Sequence, residues 1–121
     1  MVDYRRQRVA DEIKRIIGEI FIVDLPPEGS NLITVTNVKL TSDLREAKIY
    51  LSIYNKDADQ RQQGLKNIIK KGSYIRGLLG NRISLRYVPK IFFYEDDTLE
   101  YVDKIERLIQ TVHKDEEHNE S

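Results

Sequence analysis

The chain has 121 residues, 40% apolar and 33% charged, with 20 Lys and Arg against 20 Asp and Glu and no cysteine. That is enough chain for one ordinary domain with its own core, and the missing cysteine excludes disulfides, thiolate metal sites and cysteine nucleophiles. No apolar run approaches the ~18–20 residues that cross a bilayer and the start lacks the apolar core of a signal peptide, so a cytoplasmic protein without a membrane partner is expected.

Val9, Ile13, Ile16, Ile17, Ile20 and Phe21 recur at the spacing of an amphipathic helix, which predicts one helix over Tyr4–Val23. Pro26-Pro27-Glu28-Gly29-Ser30-Asn31 breaks it. Leu32–Leu40 is rich in β-branched residues and reads as a strand, and Thr41-Ser42-Asp43-Leu44 turns the chain. In the second strand Ala47, Ile49, Leu51 and Ile53 alternate with Lys48, Tyr50, Ser52 and Tyr54, so one face packs and the other is wet. Tyr50 and Tyr54 on the wet face are expected to pack across strands rather than to stack on bases.

Asp57 with Gln60 is a helix-start capping pair, followed by a stripe of Leu65, Ile68 and Ile69. Gly72-Ser73 interrupts that helix, and Ile75, Leu78 and Leu79 make a second stripe ending near Gly80-Asn81. Two helices meeting at a kink are therefore expected. Leu85–Tyr94 reads as a third strand, with Pro89 marking an edge or a bulge. Asp97 and Glu100 cap a last helix carrying Leu99, Val102, Ile105, Leu108, Ile109 and Val112. The expectation is one α+β domain over residues 1–112, its three-stranded sheet covered by helices on one face, with an acidic, disordered tail over 113–121.

Charge is distributed unevenly. Residues 61–90 carry eight bases and no acid, whereas 91–121 carry ten acids and three bases. An acid-free basic block in a balanced protein points to a phosphate backbone; the competing reading is a protein-interaction module whose basic face meets an acidic partner. Enzyme chemistry has no support. There is no phosphate-binding Gly-Lys-Ser/Thr loop, His113 and His118 stand five apart rather than four, and Glu95-Asp96-Asp97 sits where acids stabilise a helix start. No cofactor, metal or small-molecule substrate is expected.

The helix junction concentrates candidate binding residues. Lys70 and Lys71 precede Gly72, while Tyr74 and Arg76 follow it. A broken helix offers unpaired amides to an anion, lysine and arginine neutralise phosphates, and an exposed tyrosine stacks on any base. The opposing reading packs Tyr74 in the core and pairs Arg76 with an acid. Lys66, Arg82, Arg86 and Lys90 extend the positive surface and Arg8 joins from the first helix. Gly77-Leu78-Leu79-Gly80 spells a KH-type Gly-x-x-Gly loop, but Leu78 and Leu79 fit the helix stripe better.

Several segments together resemble the bacterial ribosome-binding factor A family, from about Arg8 to Val112. They are Arg8-Val9-Ala10, Ile33-Thr34-Val35-Thr36-Asn37-Val38 and Ser42-Asp43-Leu44-Arg45-Glu46-Ala47-Lys48-Ile49-Tyr50-Leu51-Ser52. Tyr74-Ile75-Arg76-Gly77-Leu78-Leu79-Gly80, Leu85-Arg86-Tyr87-Val88-Pro89 and Phe92-Phe93-Tyr94-Glu95-Asp96 complete the set. The resemblance implies a type-II KH-like fold. It also implies a monomeric, non-enzymatic factor that binds the free small (30S) ribosomal subunit and assists late maturation of its 16S rRNA. The family's Ala-x-Gly kink corresponds here to Lys71, Gly72 and Ser73, with the alanine missing and the glycine one position early. Asp24-Leu25-Pro26-Pro27 likewise departs from the family's Asp-Pro-Arg.

Overall fold

The structure, a computed structural model, describes residues 3–26 and 31–96. The helix expected from Asp97 and the acidic tail from His113 lie outside the described residues, as does most of the proline-rich turn. Within them the order is helix, strand, strand, two helices, strand, the α+β arrangement of a KH-like domain.

Helix α1 spans Tyr4–Glu19 and is capped by Asp3, whose carboxylate accepts the Arg6 amide at 3.1 Å. The expected continuation to Val23 is instead a π-helical turn over Ile20–Asp24, closed by the Leu25 amide on the Ile20 carbonyl at 2.7 Å. The wider turn keeps both Ile20 and Phe21 in the core while Ile22 and Val23 face out. Every apolar residue of the expected stripe is buried.

Strand β1 (Leu32–Leu40) pairs antiparallel with β2 (Glu46–Tyr54), and β2 pairs parallel with β3 (Lys90–Glu95), giving the sheet order β1-β2-β3. The inner face of β2 is the expected Ala47, Ile49, Leu51 and Ile53, all buried. Ser52 departs from the wet-face expectation: it is buried, a small side chain between Tyr50 and Tyr54 on the same face. Tyr50 does pack across strands, stacked on Tyr94 with ring centroids 5.6 Å apart and Lys39 over its ring.

β3 is shorter than expected. Its ladder begins at Lys90, whose amide donates to the Arg45 carbonyl at 2.8 Å; Pro89, with no amide proton, stands buried just before it. β3 is an edge, as the proline suggests, but the break in register falls in β1 between Val35 and Asn37. There Thr36 donates its hydroxyl to Asp96 at 2.6 Å, tying β1 to the end of β3.

Helix α2 (Ala58–Lys70) is capped by Asp57, which accepts the Asp59 amide at 2.9 Å. Its inward seam is Gly64 and Ile68 with Leu65 beside them, so Ile69 is 54% exposed, contrary to the expected stripe. Ile69 lies one helical step, about 100°, off that seam. Helix α3 (Gly72–Arg82) buries Ile75 and Leu79. Gly77 to Gly80 lie inside it, so no Gly-x-x-Gly loop forms. The three helices and the inner sheet face share one core.

Candidate functional site

The break between α2 and α3 is a single residue. Lys71, with φ −90° and ψ 9°, ends one helix and precedes the other; Gly72 and Ser73 are already helical. Its amide donates to the carbonyls of Asn67 and Ile68, so the chain bends with little loss of pairing. The side chains of Lys70 and Tyr74 are exposed there, Tyr74 by 58%. That exposure removes the core reading of Tyr74.

Beyond the junction, α3, the segment 83–89 and the β1–β2 turn enclose an open groove of about 800 Å³. It is lined by Arg45, Ser73, Arg76, Gly77, Gly80, Arg86, Tyr87, Val88 and Lys90. Four of these are cations and none is an acid.

Three local structures position the groove. Segment 83–89 is seated on α3 by Arg76, whose Nε donates to the Pro89 carbonyl at 3.1 Å and whose Nη2 donates to the Val88 carbonyl at 2.7 Å. Arg76 therefore binds backbone, not the acid its alternative reading required. Gly80 permits the approach, since a Cβ there would stand 3.0 Å from Val88 Cγ2. In the β1–β2 turn, where Asp43 and Glu46 border an adjoining cleft with Arg45 and Lys90, Thr41 Oγ1 donates to Asp43 at 2.7 Å, and the same carboxylate accepts the Arg45 amide at 3.1 Å. These bonds hold the Asp43 carboxyl below the ordinary aspartate range, the Thr41 hydroxyl contributing most. In the same turn the Leu44 amide donates to the Thr41 carbonyl at 2.9 Å and Leu44 stands at φ 60°, a left-handed conformation costly for a residue with a Cβ. The third structure is the Lys90 amide on the Arg45 carbonyl, which brings those two cations to one corner.

Of the residues singled out from sequence, the groove gathers Arg76, Arg86, Lys90 and, from the kink, Ser73. Arg8, Lys66, Lys70, Lys71, Tyr74 and Arg82 do not line it. Lys71 instead borders a smaller crevice with Phe21, Leu25, Asn31 and Ile75. Arg82 Nη2 lies 2.8 Å from both carboxylate oxygens of Asp24, an ion pair joining the end of α3 to the π-helical turn. Arg45 and Tyr87 were missed as site residues. Both fall inside the family-like segments, but only the fold brings Arg45 to the basic stretch and turns Tyr87, already within it, to the groove. Among the described residues no group of three or more His, Asp or Glu could hold a metal ion.

Comparison with known proteins gives a consistent answer. The model of the family described as ribosome-binding factor A matches residues 5–109. Ribosome-binding factor A of Clostridium beijerinckii is 36% identical over 118 residues, covering 97% of this chain and all of its own. That of Moorella thermoacetica is 40% identical over 113 residues, covering 92% of each chain. In structure, the crystal structure of ribosome-binding factor A from Thermus thermophilus superposes with a TM-score of 0.62 at 20% identity, covering 76% of this chain and 97% of its own. A solution structure from Thermotoga maritima gives 0.66 at 24%, covering 83% and 94%. With the family model spanning most of its length and curated relatives matched nearly end to end, the chain belongs to the ribosome-binding factor A family.

Proposed function

We propose that this chain is a cytoplasmic, monomeric, non-enzymatic assembly factor that binds the free 30S subunit and assists late maturation of its 16S rRNA. In this reading the groove between α3 and segment 83–89 grips RNA phosphates. Family membership supports the subunit as target, and a homology model of the Thermus thermophilus ribosome-binding factor A has been fitted into the cryo-EM map of its 30S complex. The observation that carries the mechanism is a groove holding Arg45, Arg76, Arg86 and Lys90 without one acid in its lining. Cations in such a cleft reinforce one another's field and release counterions from RNA. Arg8, Lys66, Lys70, Lys71, Tyr74 and Arg82 do not line the groove, and in this reading they add to RNA binding only from outside it.

The test is charge reversal on the groove's rim. The triple variant Arg45→Glu, Arg86→Glu, Lys90→Glu leaves the Arg76 clamp in place, so it folds, as circular dichroism checks. It is expected to lose co-sedimentation with purified 30S subunits. The slope of log affinity against log salt for single-stranded RNA should shrink by about 2 in magnitude, near 0.7 per lost contact. Unchanged co-sedimentation of the folded variant overturns the site. Failure of purified RNA to compete for the face would instead favour an acidic protein partner.

A further inference from the structure

We infer that Arg86 and Tyr87 form a stacking platform that takes one unpaired base, so that the groove selects single-stranded over duplex RNA. The inference rests on the RNA-binding reading above and adds to it the class of RNA and the group that recognises it.

Segment 83–89 alternates between residues that anchor it and residues it displays. Ile83 and Pro89 are buried, Leu85 and Val88 pack partly into the core, and Arg76 holds the carbonyls of Val88 and Pro89. Between these anchors Arg86 and Tyr87 point outward, Tyr87 with 64% of its surface exposed. A large aromatic side chain left this open on a seated segment gains little from burial. The Arg86 guanidinium sits 5.5 Å from the Tyr87 ring centroid, so the cation and the ring are already paired at the rim.

The chemistry that fits is a planar π system attached to a phosphate. The base would stack on the phenol ring, and its neighbouring phosphates would fall to Arg45 and Lys90 across the groove. Stacking of this kind is indifferent to base identity, but it requires an unpaired base. In an A-form duplex the base faces are occupied by their neighbours, and only phosphates and 2′-hydroxyls remain to a side chain. Duplex RNA can therefore use the cations but not Tyr87.

The experiment uses the full chain and three RNAs at one fixed salt concentration. They are a 12-nucleotide single strand, the same strand with 2-aminopurine at its centre, and the matching duplex. Wild type and Tyr87→Phe are expected to quench 2-aminopurine and to prefer the single strand. Tyr87→Leu, which keeps an apolar side chain but no ring, should lose the quench. Its single-strand affinity should fall on the order of tenfold, with duplex affinity moving less than about twofold. Equal single-strand affinity and quench in Tyr87→Leu and wild type overturn the platform, as does a wild-type preference for duplex. Either result leaves the groove as a phosphate site. Intact RNA binding in the triple rim reversal would instead remove the reading beneath it.

Discussion

The α3 side of the groove, here its floor, and the segments facing it, here its rim, are both cationic, yet they are built to different ends. Arg76, on the floor, directs its guanidinium at two backbone carbonyls and so holds segment 83–89 against α3. Arg86, ten residues on, lies over an exposed ring at the rim. Both belong to the same acid-free stretch and contribute equally to a charge count. The same division runs through the stretch: Arg61 donates to the Asn55 carbonyl at 2.7 Å and Arg82 pairs with Asp24, so both serve the fold. An arginine's charge is legible in sequence, but whether its five donors are already engaged is decided by tertiary structure.

The largest effect that would break this contrast is a stability difference between the two arginines. Arg76→Ala leaves the Val88 and Pro89 carbonyls without their donor and should cost about 1.5–3 kcal/mol, the range for hydrogen bonds to charged groups. Arg86→Ala removes a surface side chain and should stay within about 0.5 kcal/mol. Urea denaturation midpoints at unchanged slope measure both. Arg76→Lys should recover only part of the loss, because an ammonium cannot reproduce the two-pronged geometry. Equal losses at the two positions would show that floor and rim are not distinct.

A smaller effect sharpens how the floor is packed. Gly77 and Gly80 both lie in α3 and both line the groove, but a Cβ at Gly77 meets nothing within 4 Å, whereas at Gly80 it meets Val88 at 3.0 Å. Gly77→Ala should therefore stabilise by up to about 1 kcal/mol through helix propensity alone. Gly80→Ala should gain less or lose, since Val88 is held by Arg76 and cannot easily retreat. Adding Val88→Ala to Gly80→Ala should narrow the gap in a double-mutant cycle. Indistinguishable alanine variants would mean that segment 83–89 is not seated tightly on α3.

What could be read from the sequence followed the reach of each signal. Periodicity placed α1, β2 and the paired helices, and β-branched composition placed β1, because a buried stripe and a strand-forming run are local patterns that tertiary packing only confirms. Ile69 escaped it: adjacent isoleucines look alike in sequence, and the seam through Gly64 and Ile68 chose one. The basic stretch was visible as charge, and its acid-free lining survives in the folded groove. Arg45 was not visible as a partner. It stands outside the stretch, and only the parallel pairing of β3 with β2 carries it to Lys90. Tyr74 drew notice through its neighbours at the junction, while Tyr87 required knowing which side of segment 83–89 faces outward.

The smallest effect concerns the wall opposite the clamp and its dependence on pH. Asp43 accepts the Thr41 hydroxyl and the Arg45 amide, and these bonds favour its ionised form, which lowers its pKa. A carboxyl with a depressed folded-state pKa contributes stability above its unfolded pKa and loses it as pH falls through the folded value. The turn should therefore be insensitive to pH near neutrality and loosen only in acid, below the ordinary aspartate range. Because Asp43 is solvent-exposed, the global melting temperature should barely register the change; the local signal is the Arg45 amide, whose exchange protection should fall as the carboxylate protonates. Asp43→Asn should flatten that acid response and weaken single-stranded RNA binding slightly at pH 7, by loosening the backbone that presents Arg45. A response of the Arg45 amide that persists in Asp43→Asn would assign it to another group, and the wall would then be set by the strained Leu44 conformation rather than by the carboxylate.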